Sequence, residues 1–304
     1  MRATVVGAGL MGHGIAQVFA AAGATVTVHD PVAEALDSLR GRIAGNLREL
    51  GQDESLADEI ATTDSLEDAV SAAEWVFEAA PERLDLKQAL FERMDRAAPA
   101  GCVLATNSSV MRATEITART QRPERTLGTH WWNPPYLVPL VEVVQGERTD
   151  PEVVDRTMAM LAQVGKTPVH VRRDVPGFVG NRLQHALWRQ AFELIDAGVC
   201  DPEDVDTVVK ASFGRRLAVL GPVENADLIG LDLTLDIHEY VLPTLDPPSE
   251  PSAGLRERVS GGRLGMKTGA GYRAWSEEQA EEVRRRLLGH LAAATPISQR
   301  GGAT

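Results

Sequence analysis

Cysteine is scarce in this chain: among 304 residues only Cys102 and Cys200 occur, far apart and without metal-ligand spacing. That excludes a disulfide framework and makes a reducing, cytoplasmic setting the natural expectation. Long apolar runs are missing as well. No segment reaches the ~18 uninterrupted apolar residues that a bilayer span needs. The opening "MRATVVGAGL" offers one basic residue and then a strand whose apolar run stops at Gly7, so no signal peptide is expected. Basic residues are in the minority, 31 Lys and Arg against 43 Asp and Glu, for a net charge of -12. Such a balance argues against general affinity for nucleic acid or anionic membrane, both polyanions, while leaving room for a local basic pocket. What is present is an ordinary globular composition, 43% hydrophobic and 24% charged, in a chain too long for one ordinary domain and suited to two.

"RATVV" (2–6) reads as a buried strand, "GAGLMGHGIAQVFAAAG" as a tight turn opening a helix that stops at Gly23, and "TVTVHD" (25–30) as a second strand. Helical stretches are expected from about Val32 to Leu50 and again from about Ser55. "EWVFEAA", "CVLATN", "TLGTHW", "LVPLVEVV" and "TPVHV" look like further strands, with helical patterns over 84–98 and 151–165 between them. Alternation of this kind implies an α/β fold with a doubly wound, mostly parallel sheet. After "RRDVPGF" the pattern turns to long amphipathic runs with almost no strand signal. Two domains are therefore expected, 1–174 and an all-α 175–304. "LDPPSEPSAG" (245–254) reads as a loop, and "TPISQRGGAT" at the end as disorder.

Gly7, Gly9 and Gly12 form G-x-G-x-x-G between a strand and a helix, with a second strand ending in Asp30. Gly7 permits the turn, Gly9 lets backbone approach a pyrophosphate, and Gly12 allows close helix–strand packing. The helix start, through Leu10 and Met11, presents the partial positive charge an anion wants. Asp30 can accept from ribose hydroxyls and would repel a 2'-phosphate, so NAD is the expected cofactor. Asn107, closing "CVLATN" at the carboxyl edge of the sheet, joins the expected cofactor contacts.

NAD implies hydride transfer, which needs a group to take the alcohol proton. The stretch "GTHWWNPPYLVPLVEVV" (128–144) supplies a candidate. His130 ends one expected strand and Glu142 lies twelve residues on, in the next, with Pro134 and Pro135 forcing a bend between them. If the strands are neighbours, the carboxylate can fix the imidazole tautomer, and the imidazole relieves the cost of burying a carboxylate among valines. The competing reading is an exposed histidine and an edge-strand glutamate facing water.

Taken together, these motifs resemble the 3-hydroxyacyl-CoA dehydrogenase family, and the resemblance covers nearly the whole chain. It rests on "VVGAGLMGHGIA", "FEAAPERLDLKQALF", "LATNSS", "THWWNPPYLVPLVEVV", "DVPGFVGNRL" and "GRLGMKTGAGYRAW" in order. The resemblance implies a Rossmann domain, a helical domain that usually dimerises, and an active site in the cleft between them. It assigns the catalytic histidine and its partner to His130 and Glu142, the substrate-oxygen contacts to Ser109 and Asn181, and further cofactor contacts to Glu82 and Lys87. Ser109 reads equally as a helix N-cap, Lys87 as a solvated helix residue, and Lys267 as structural. Asn181, a poor helix former early in a helix, suits a polar contact.

The family divides between acyl-CoA thioesters and small free hydroxy acids such as gulonate and carnitine. "NPPY" resembles the free-acid branch and "GRLGMKTGAGY" the thioester branch. Trp131 and Trp132 stand where many thioester enzymes have two phenylalanines; larger rings narrow a pocket, stack on a flat substrate, or simply fill core. Arg40, Arg42 and Arg48, where CoA-contacting cations are often placed, face Glu49, Asp53, Glu54, Asp58 and Glu59, a poor balance for a phosphate. Overall resemblance puts an acyl-CoA, and with it fatty-acid metabolism, first. A small or aromatic free 3-hydroxy acid comes second, and a catalytically retired NAD-binding protein last.

Overall fold

The computed structural model describes residues 1–245 and 251–294. The disorder expected of "TPISQRGGAT" lies outside the described residues, as do positions 246–250 of the expected loop. Two compact units divide the chain: Met1–Arg182 with the described residues from Leu287 onward, and Leu183–Arg286.

In the first unit the chain runs β1 (Arg2–Val6), α1 (Leu10–Ala21), β2 (Thr25–His29), α2 (Ala33–Asp37), α3 (Leu39–Glu49) and β3 (Ala61–Thr63). It continues through α4 (Leu66–Val70), β4 (Trp75–Glu78), α5 (Leu84–Ala97), β5 (Val103–Thr106), α6 (Ala113–Ile116) and β6 (Thr126–Trp131). β7 (Leu140–Val144), α7 (Pro151–Gln163) and β8 (Thr167–Val171) complete it. The strands lie in the order β3-β2-β1-β4-β5-β6-β7-β8. Every neighbouring pair is parallel except β6 and β7. The short proline-rich link between those two turns the chain straight back, too short for a parallel crossover.

Helices on both faces explain why the central strands are apolar throughout rather than alternating. Val5, Val28 and Phe77 pack on one side with Phe19, Ile43 and Leu47, and Val6, Val76 and Leu104 on the other with Phe91 and Met94. This is the Rossmann-type α/β class expected from the sequence, followed by helices. One local expectation fails. In place of a helix from Ser55 there is a single 3-10 turn, Glu54–Ala57, then β3 and α4. The Asp53 carboxylate accepts from Ser55 N–H at 2.9 Å and caps that turn.

The helical unit begins within α8 (Gly180–Asp196) and contains α9 (Pro202–Ala211), α10 (Pro222–Ile229), α11 (Leu231–Val241) and α12 (Ala253–Ser260), ending inside α13 (Glu277–Ala294). None of the residues of α8 to α12 is buried. Among the described residues no helix is long and apolar enough to cross a membrane.

Candidate active site

The glycine turn sits between β1 and α1, and its three glycines differ in what surrounds them. Gly7 has φ +106°, and a Cβ there would come within 2.7 Å of Ala79 O; a Cβ on Gly12 would lie 1.7 Å from Gly7 O. Both positions are closed to any other residue. Around Gly9 nothing lies within 4 Å of where a Cβ would stand, so backbone is left bare. Beyond it α1 starts with no side-chain cap and no acid in its first turn, so its amide groups and the positive end of its dipole are uncompensated by side chains. A pyrophosphate fits that chemistry. Leu10, two-thirds exposed, and Met11 form the first turn of α1, as expected. The Asp30 carboxylate closes β2 onto the turn, accepting from Ala8 N–H at 2.8 Å and Val32 N–H at 2.9 Å.

On the antiparallel pair β6–β7, His130 is directly opposite Glu142. Strand alternation puts both on one face while Trp131, Val141 and Val143 point to the other, into the core. His130 Nδ1 is 2.8 Å from Glu142 Oε2, both side chains nearly inaccessible. Glu142 Oε1 accepts from the backbone N–H groups of Val179 and Gly180 at 2.9 and 3.0 Å, where α8 begins. Burial opposes the carboxylate charge, but the His130 bond, the two amides and the charge of His130 outweigh it and hold Glu142 below the usual carboxylate range. A glutamate among valines is therefore tolerable: each oxygen has its own donors. Sequence reasoning alone does not reveal the two amides. With Nδ1 committed, Nε2 is the ring nitrogen left for proton exchange.

A second network lies at the carboxyl ends of β4 and β5. Glu78, wholly buried, accepts from Lys87 Nζ at 2.6 Å, from Ala80 N–H at 2.8 Å and from Thr106 Oγ1 at 2.7 Å. Lys87 is only 1% exposed, which rules out a solvated helix residue; it also reaches Glu82 at 3.3 Å. Glu82, still partly exposed, accepts from Ser108 Oγ and from Ser109 N–H. Ser109 is no helix cap, since Arg112 precedes α6 and Ser108 Oγ accepts from Met111 N–H instead. Asn181 Nδ2 donates to Ser109 O at 2.8 Å, so the two expected substrate-contacting residues are adjacent. The Asn107 side chain accepts from Trp131 N–H at 2.9 Å, tying β5 to the end of β6.

The tryptophan pair splits. Trp131 is 2% exposed and sits edge-on to Phe19 and Phe77 in the core. Trp132, half-buried, lies beside the His130 ring with centroids 5.1 Å apart, and Phe178 flanks the same imidazole at 5.6 Å. Each arginine of α3 has partners within the chain. Arg40 donates to Ile60 O, Arg42 to Ala8 O at 2.6 Å and Ala35 O at 3.1 Å, and Arg48 pairs with Glu54 through two bonds. Arg42 thus braces the glycine turn.

Comparison with known proteins gives two matching family descriptions: "3-hydroxyacyl-CoA dehydrogenase, NAD binding domain" over residues 2–175 and "3-hydroxyacyl-CoA dehydrogenase, C-terminal domain" over 177–275. L-carnitine dehydrogenase of Streptomyces griseus is 42% identical over 233 residues, covering 75% of this chain and 70% of its own. A probable 3-hydroxybutyryl-CoA dehydrogenase of Bacillus subtilis is 37% identical over 283 residues, covering 90% and 97%. The crystal structure of 5-formyl-3-hydroxy-2-methylpyridine 4-carboxylic acid 5-dehydrogenase, an NAD+ dependent dismutase, superposes with a TM-score of 0.90 at 31% identity over 99% of both chains.

Proposed function

The chain belongs to the 3-hydroxyacyl-CoA dehydrogenase family of NAD-dependent oxidoreductases, and on that premise we propose that it oxidises the hydroxyl of a small free hydroxy acid, with His130 as the base. NAD would be held by Gly7, Gly9, Gly12 and the start of α1, with Asp30 placed to accept from the ribose hydroxyls, and when bound would supply the hydride acceptor. His130 Nε2 takes the hydroxyl proton as the hydride leaves the same carbon, and returns it to the carbonyl in the reverse direction. Glu142, kept ionised by Val179 and Gly180, holds the imidazole by Nδ1 and stabilises its protonated form. Ser109 and Asn181 orient the substrate oxygens. Glu82 and Asn107 would border the cofactor, and Lys87, enclosed by Glu78 and Ala80, sets the position of Glu82.

The observation that carries the choice of free acid over thioester is the state of the α3 arginines. Arg40 and Arg42 are bound to backbone carbonyls of this chain and Arg48 is paired with Glu54, an arrangement that does not cluster free cations as a CoA phosphate favours. Similarity to the Streptomyces carnitine enzyme supports the same reading, and similarity to the pyridine carboxylate enzyme, whose named substrate is a formyl-bearing free acid, supports a substrate without CoA. Similarity to the Bacillus 3-hydroxybutyryl-CoA enzyme supports the other, with a 3-hydroxyacyl-CoA as substrate. The decisive experiment follows absorbance of the reduced cofactor with the purified protein, comparing acetoacetyl-CoA and NADH with carnitine, gulonate and 3-hydroxybutyrate and NAD. Turnover of a free acid and none of the thioester supports the proposal; fast loss of NADH with acetoacetyl-CoA overturns it. A homodimer through the helical unit is part of the same proposal, supported by its uncovered apolar side chains, including Leu228, Leu235 and Tyr240.

A further inference from the structure

The geometry points to Trp132 as the residue that sets the size of substrate His130 can reach. The inference rests on His130 being the base. Trp132 is wedged between the imidazole and the first residue of α8. Its ring centroid is 5.1 Å from that of His130, and its Cζ2 is 2.4 Å from where a Cβ on Gly180 would stand, with Cη2 at 3.2 Å. Gly180 is thus the one kind of residue that lets the indole occupy this space while donating its N–H to Glu142. The wedge and the catalytic pair share the same few atoms of backbone.

Folding gives no evident reason for an indole here. Trp132 Nε1 is buried without a hydrogen-bond partner, and an orphaned buried donor carries a desolvation cost that phenylalanine would avoid. Trp131 has the same orphan but returns a wholly buried ring to the aromatic core with Phe19 and Phe77. Trp132 is half-buried and belongs to no core cluster. What the indole does provide is bulk beside the base. We assign that bulk to selection: it excludes substrates whose substituent at the reacting carbon is long, and admits short or compact ones.

The test is a chain-length profile. Wild type, Trp132→Phe and Trp132→Ala are assayed with four-, six- and eight-carbon 3-hydroxy acids and, separately, with the matching 3-hydroxyacyl-CoA series. One added methylene in a confined pocket changes kcat/KM by roughly 10-fold or more. Wild type should therefore fall steeply from four to eight carbons in whichever series it turns over, Trp132→Phe should flatten that fall by ~10-fold, and Trp132→Ala further. An unchanged profile in both variants overturns the inference, whatever happens to overall rate or melting temperature. Because the profile is read within one series, a wild type that uses only thioesters sinks the free-acid proposal while leaving this inference standing or falling on its own slope.

Discussion

The two units of the chain stand in different relations to water. In the first, Val5, Phe19, Phe77, Leu104 and Val143 are at or below 1% exposure, and the sheet is covered on both faces. In the second, α8 to α12 contain no buried residue, while Tyr240 is 84% and Leu228 70% exposed. The difference lies in what each has to pack against. A sheet lets helices close over it from either side; a row of helices without a sheet has apolar stripes still to cover. The first unit buries its own core, whereas the second leaves apolar side chains uncovered among its described residues, and that exposure is the support for the proposed second copy.

If catalysis and cofactor binding reside in the first unit, His130→Ala should lower kcat by about 10³-fold while leaving the NAD dissociation constant, measured by titration, near its wild-type value. Turnover that survives this change removes His130 as the base. The contrast in packing is measured by equal truncations. Phe77→Ala should cost ~3–5 kcal/mol in denaturant unfolding. Leu235→Ala, at a side chain 58% exposed, should change monomer stability by less than ~0.5 kcal/mol yet weaken self-association in sedimentation. Equal losses at both sites, at protein concentrations too low for association, would erase the distinction between the units.

Lys166 offers a smaller, pH-dependent effect within the first unit. Its ammonium donates to Pro135 O and to Val138 O at 3.1 Å and lies over the Trp131 ring, holding the bend between β6 and β7. Burial lowers its pKa from the ordinary 10.5 to about 8. Between those values the unfolded chain holds the proton that the folded chain has lost, so this group makes stability rise with pH across that window and adds nothing to the slope below it. The rise should be on the order of 1–3 kcal/mol and should vanish in Lys166→Met, with urea unfolding from pH 7 to 10.5 as the measurement. Asp30→Ala should weaken NAD by about 10-fold, the scale of one lost charged hydrogen bond, and should also lower the melting temperature, because the carboxylate accepts from the backbone N–H groups of Ala8 and Val32; a cofactor titration and a melting curve check the two.

Much of this is legible in the residues, for identifiable reasons. β6 and β8 begin and end where expected because glycine and proline punctuate them. The twelve-residue spacing of His130 and Glu142 becomes a cross-strand pair because a proline-rich link leaves only the antiparallel return. β3 escapes such reading: three residues, Ala-Thr-Thr, at the sheet edge carry no periodicity. The Val179 and Gly180 amides escape it because a backbone donor has no side-chain signature, although the Pro-Gly turn of "DVPGFVGN" marks where a helix start becomes available. Lys87 passes for a solvated residue because a helical wheel cannot see Glu78 beneath it.

The bare backbone at Gly9 has one more consequence. Gly7 and Gly12 are demanded by neighbouring atoms of the chain itself, but nothing in the protein objects to a methyl group at position 9. A chain carrying alanine there should express, fold and melt like its parent, and fail only when offered its dinucleotide. Healthy yield and a sharp melting curve would then certify a molecule that has lost its vocation, so for this protein quality as a material and competence as a catalyst have to be judged by separate assays.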